Sequence, residues 1–278
     1  MKIRLLLPKI DFLKRQIHKP QLITFLEGVK KALLAQKDQL QTNWDAFIAA
    51  WIAYGLSQEG FQHNQPLNEL ASALKQWASE NEVWEYERNL GPLAFLCWLE
   101  KGKICDSTLI TKLSNKIKDL RSDYKLSLLR DPEQVFLIAL GLSALDDKPQ
   151  LKEAKDRLVE KAKKEVQSGP LRRKILFSAA LRQLNENNTI QKQESQEIGD
   201  TIALLWWNER YGENLKNEYW QHFSNVNAMV ALDVNAATEN QRILSPPELA
   251  MLYETLFRIV SQRNYLKNLK RIIPTLKD

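Results

Sequence analysis

Glycine is scarce in this chain, nine residues in 278, and cysteine is nearly absent, with Cys97 and Cys105 alone. Two cysteines eight residues apart, without a second pair, build neither a disulfide framework nor a four-ligand zinc site. They are expected to be reduced and structural. Long apolar runs are missing too. The longest, Ala46 to Leu56, falls well short of the roughly 18 residues that cross a bilayer, and reads as a buried helix. The opening Met1 to Pro8 lacks the apolar length and cleavage site of a signal peptide, so a cytoplasmic protein is expected. Also absent are a phosphate-binding glycine loop, a His-x-x-x-His pair and a Gly-x-Ser-x-Gly elbow, and no cofactor is expected.

What is abundant is Leu, Ala, Lys, Glu and Gln, the residues that lose least free energy in a helix. Apolar residues make up 44% and charged residues 27%, the mix of a folded globular chain. The net charge of +6 is uneven: residues 1–45 carry nine Lys/Arg against four acids, residues 258–278 six against one, and the middle 25 against 29. Both ends are basic and the body is slightly acidic.

Hydrophobic spacing gives two kinds of helix. Leu22, Phe25, Leu26, Val29 and Leu33 recur at three and four residues, as do Leu67, Leu70, Leu74 and Trp77; Leu109, Leu113, Ile117 and Leu120; Leu151, Ala154, Leu158 and Ala162; and Ile198, Ile202 and Leu205. Between these stripes stand segments apolar all round, Trp44 to Leu56 (Asp45 excepted), Pro92 to Leu99, Val135 to Leu142 and Ile175 to Leu181, which predict helices without a wet face. The alternation has a period of about 40 residues, the spacing of stacked helical hairpins. Asp131-Pro-Glu-Gln134 and Ser245-Pro-Pro-Glu248 read as capped helix starts. The expectation is an all-α chain of about six helical hairpins in two layers, a single helical-repeat domain over 1–278 with 1–20 as an N-terminal extension. Residues 233–244 are expected to form a loop or lid.

Six hairpins with apolar inner helices, carried by segments such as Asp131-Pro-Glu-Gln-Val-Phe-Leu-Ile-Ala-Leu-Gly-Leu142 and Leu151-Lys-Glu-Ala-Lys-Asp-Arg-Leu158, resemble the α/α toroids of terpenoid cyclases, protein prenyltransferase β subunits and several glycosidase families. The resemblance implies a barrel with ligands at one end or in its lumen. It does not extend to the catalytic motifs: Asp-x-Asp-Asp is absent, Asp146-Asp147 stands alone before Pro149, and His18, His63 and His222 lie far apart. An open HEAT-like or armadillo-like solenoid is the competing architecture. Its inner helices need a polar stripe, whereas these have apolar centres.

Glu80-Asn-Glu-Val-Trp-Glu-Tyr-Glu-Arg88 is the most suggestive stretch. Glu85 and Glu87 are candidate catalytic carboxylates for a glycosidic bond, and Trp84, Tyr86 and Arg88 candidate ligand-binding residues, with the rings stacking on sugars. The plainer reading is a solvated acidic loop whose charge favours the next helix N-terminus. The eight tryptophans either line an apolar lumen or fill the core. Arg263, Lys267, Lys270 and Arg271 could meet phosphates of nucleic acid or a membrane surface. Lys161, Lys163, Lys164, Arg172, Arg173 and Lys174 are interspersed with acids and read as a salt-bridged face. A non-catalytic helical-repeat scaffold for another protein is the first functional expectation. A toroid enzyme or carrier for a carbohydrate or isoprenoid-like substrate is the second. Metal ligation is not expected.

Overall fold

The computed structural model describes residues 3–6, 19–40, 45–61, 63–99, 111–113, 115–116, 130–145, 151–186, 198–212, 229–232 and 244–261. Nine long helices appear among them: α1 Lys19–Gln39, α2 Ala46–Leu56, α3 Gln65–Ser79, α4 Leu90–Leu99, α5 Pro132–Ala144, α6 Lys152–Val166, α7 Leu171–Gln183, α8 Ile198–Tyr211 and α9 Pro246–Ser261. Two strands, β1 Ile3–Leu6 and β2 Met229–Leu232, pair antiparallel with Ile3 opposite Leu232. The sequence pattern does not reveal this ribbon, because four residues are too few to show a period and their partners lie over 200 positions away. The chain divides into two compact units, residues 37–193 and residues 1–36 with 194–278.

In the unit of residues 37–193 the apolar helices lie side by side. α5 packs between α4 and α7, α2 packs on α4, α3 lies across α2 and α4, and α6 lies on α7. The division predicted from hydrophobic spacing holds here. α2, α4, α5 and α7 are buried nearly all round, whereas α3 buries Leu67, Leu70, Leu74 and Ala78, and α6 buries Ala154, Leu158, Val159 and Ala162.

α4 and α5 run side by side in the same direction. Gly91 near the start of α4 abuts Gln134 and Leu137 near the start of α5, and Ala94 abuts Gly141 further along both. At Gly141 a Cβ would stand 2.3 Å from the Ala94 carbonyl oxygen, so the two backbones touch. Aromatic rings fill the same layer: Trp51 stacks on Phe136 at 5.8 Å, and Tyr54 meets Phe136 edge-on at 5.6 Å and Phe95 at 6.3 Å. Pairs of this geometry add roughly 1 kcal/mol each beyond area burial.

Caps set the helix ends. Asp45, the one polar residue of its apolar run, accepts from Phe47 N at 3.0 Å and Ile48 N at 3.4 Å and so starts α2. Asn64 accepts from Leu67 N at 3.2 Å while its Nδ2 donates to the Leu56 carbonyl at 3.0 Å, joining the ends of α2 and α3. Such caps are worth about 1 kcal/mol. At α9 the Glu248 carboxylate accepts from Ser245 N at 2.8 Å and Ser245 Oγ at 2.9 Å, as the sequence leads one to expect. At α5 it does not. Asp131 makes no side-chain capping bond, Glu133 reaches instead to Arg172 on α7, and the Gln134 Oε1 is buried without a hydrogen-bond partner.

In the other unit α8 packs against α9. Trp206 and Trp207 are fully buried there, as is the Glu254 carboxylate, which lies between Trp206 and two arginines. Its Oε2 accepts from Trp206 Nε1 at 2.6 Å, and its Oε1 from Arg210 Nη1 at 2.6 Å and Arg258 Nε at 2.7 Å.

Candidate functional site

The N-terminal ends of α4, α5 and α7 share one edge of the unit, where Gly91 of α4 abuts Gln134 of α5. The Glu133–Arg172 ion pair between the first turns of α5 and α7 ties two of those ends together. The segment from Glu80 to Asn89 leads into α4 and therefore lies on that edge, folded as two 3₁₀ turns, Asn81–Glu85 and Glu87–Asn89.

Within it the candidate residues separate. Trp84 turns inward, 7% exposed, and donates its indole N–H to the Ala78 carbonyl at 2.8 Å. The Lys112 ammonium stands 5.6 Å from the ring centre. Trp84 is thus held by the fold. Tyr86 turns outward and is 53% exposed, the only large apolar side chain so exposed among the described residues. The Arg88 guanidinium lies 5.2 Å from its ring centre. Glu80, Glu82 and Glu85 are exposed and Glu87 is half-buried. The Asn89 side chain donates to the Val83 carbonyl at 2.9 Å and fastens the segment into a fixed loop. The result is an acidic surface with one aromatic ring standing out of it.

Of the tryptophans expected either to line a lumen or to fill a core, three lie wholly in the core. Trp51, Trp206 and Trp207 have no exposure, and Trp77 and Trp98 are half-buried. Trp44 and Trp220 lie outside the described residues, as do Cys105, His18, His222, Asp146, Asp147, most of residues 233–244 and the basic set Arg263, Lys267, Lys270 and Arg271. Cys97 is buried.

Four members of the basic cluster around Gly169 meet carboxylates. Arg172 meets Glu133, Lys163 meets Glu186 at 2.8 Å, Lys161 meets Glu165 at 3.5 Å, and Arg173 grips Glu165 at 2.6 Å while donating to the Arg130 carbonyl at 3.1 Å. The Arg173 hydrogen bond is the largest influence on the Glu165 carboxyl and holds it below its ordinary value, against a smaller opposing effect of burial; the charges of Arg173 and Lys161 add to the lowering. A depressed carboxyl stabilises the fold fully above its unfolded value, about 4.3, and this contribution disappears as pH falls through the folded-state value. Wild type is therefore expected to lose more stability between about pH 5 and 3 than Glu165→Gln, measured as urea midpoints across that range. At pH 7 the same substitution is expected to cost about 1 kcal/mol or less, because the pair is partly solvated.

Among the described residues no three His, Cys, Asp or Glu side chains form a candidate metal site, and no helix is long and apolar enough to cross a membrane. No family model, curated protein or solved structure matches the chain.

Proposed function

We propose that this chain is a helical-repeat scaffold that docks another protein at the N-terminal edge of its inner helices, with Tyr86 as the anchor. The observation that carries the reading is the exposure of Tyr86 on a loop otherwise fixed by buried contacts. Tyrosine and arginine are the side chains most often found at the energetic centres of interfaces, where a ring with a polar tip fills a partner's pocket. A rigid loop presents such a ring at little cost in ordering on binding. The surrounding carboxylates Glu80, Glu82, Glu85 and Glu87 favour a basic partner surface and repel acidic ones. The same reading takes the hairpins as turns of one α/α-toroid-like stack of six, supported within residues 37–193 by the row of neighbouring apolar helices α2, α4, α5 and α7.

Placing a photo-crosslinking amino acid at position 86 and irradiating the chain in a lysate of its source organism tests the proposal. The expected product is a covalent adduct with a defined protein of basic surface, absent when the crosslinker replaces Glu153 on the outer face of α6. An overturning result is the absence of any protein adduct specific to position 86. Turnover of an oligosaccharide or a prenyl diphosphate that disappears in Glu85→Gln or Glu87→Gln would overturn it equally, in favour of an enzyme.

A further inference from the structure

The outer face of α3 runs toward the acidic segment and ends one turn before it. Along that face His63, Asn68, Ser72 and Gln76 border an open, shallow concavity of about 770 Å³. Glu69, the carboxylate on its border, is neutralised: it accepts from Lys37 Nζ at 2.5 Å and from Gln65 Nε2 at 2.9 Å. The Lys37 hydrogen bond, then that of Gln65, keeps its carboxyl below the ordinary value. Asn68, Ser72 and Gln76 are exposed, and their side chains make no hydrogen bond among the described residues.

Carboxamides and hydroxyls each offer both a donor and an acceptor, as every residue of a polypeptide main chain does. An uncharged row of them attracts neither phosphate nor cation in particular, and suits a neutral chain of peptide groups. From Asn68 to Gln76 the helix rises about 12 Å, the length of about four residues of extended chain. Just beyond its end, four carboxylates face one guanidinium over residues 80–88, which complements positive charge.

Resting on the protein-binding reading above, we infer that the partner docks as an extended polypeptide segment. Its main chain lies along Asn68, Ser72 and Gln76, and its cationic end reaches the carboxylates beside Tyr86.

Panning a phage-displayed library of random 12-residue peptides on the full chain, then measuring the tightest peptide by fluorescence anisotropy, tests this. Enriched peptides are expected to carry Lys or Arg toward one end, and to bind at least tenfold more weakly to both Tyr86→Ala and the Asn68→Ala/Gln76→Ala double variant. These substitutions are on the surface, and unchanged melting temperatures will show that the variants fold. A peptide weakened by Tyr86→Ala but not by the double variant overturns the inference while the scaffold reading stands. Failure to enrich any peptide also overturns it, and crosslinking at position 86 then decides the scaffold reading separately. A peptide that neither variant weakens counts against both.

Discussion

Gly141→Ala is expected to destabilise the unit of residues 37–193 by about 2–4 kcal/mol, although alanine is the better helix former by roughly 1 kcal/mol. The added methyl would stand 2.3 Å from the Ala94 carbonyl oxygen, 2.6 Å from its carbonyl carbon and 2.7 Å from its Cβ. Two of those atoms are backbone, so no side chain can rotate away. α4 and α5 must separate, opening contacts around Phe95 and Phe136 in a close-packed interior. For a unit of this size the loss corresponds to a fall in melting temperature of about 5–15 °C, measurable by calorimetry. Gly91→Ala is the control, because its nearest neighbour is 3.4 Å away. If the two variants melt together, the close crossing is not a determinant of stability.

The second large effect belongs to Glu254. Glu254→Ala is expected to cost about 3–5 kcal/mol, the range for removing one partner of a buried ion pair. The carboxylate has no exposure and Arg210 only 11%. Its removal takes away the acceptor of the Trp206 indole and a counter-charge of the Arg210 guanidinium, which also stacks 5.7 Å from the Trp206 ring centre. Arg258 loses less, since 38% of its side chain already meets solvent. The double variant Glu254→Ala/Arg210→Met is expected to lose at least 1 kcal/mol less than the sum of its single variants, because the stranded charge is then gone. Chemical denaturation of the four proteins closes the cycle. Additive losses would show that Glu254 acts through packing alone.

How far the fold could be read from the chain follows from the range of each cause. Leu67, Leu70 and Leu74 are set by a local period, and all three are buried as expected. The apolar segments around Trp51, Phe95, Phe136 and Phe177 likewise announce helices with no wet face. Caps were legible only where the local motif met no competitor. Ser245 and Glu248 close on each other, but Glu133 beside Asp131 is drawn to Arg172, 39 residues away, and no window of four residues contains that partner. The candidate site divides in the same way. Composition singled out residues 80–88 as acidic and aromatic. It could not say that Trp84 faces in and Tyr86 out, because that depends on the Ala78 carbonyl that takes the indole proton. The α3 concavity has no signature in the sequence, because neutral amides on an amphipathic helix carry no charge or motif signal.

The pairing of β1 with β2 bears on the order in which the protein can form during synthesis. At about 5–20 residues per second, residue 232 is made some 10–45 s after residue 6, and until then the first strand has no complement. Residues 37–193 are contiguous and can pack while translation continues. The unit drawn from both ends of the chain must wait, so a ribosome stalled near residue 235, with residues 37–193 clear of the exit tunnel and β2 still inside it, should display the unit of residues 37–193 structured and the other unformed.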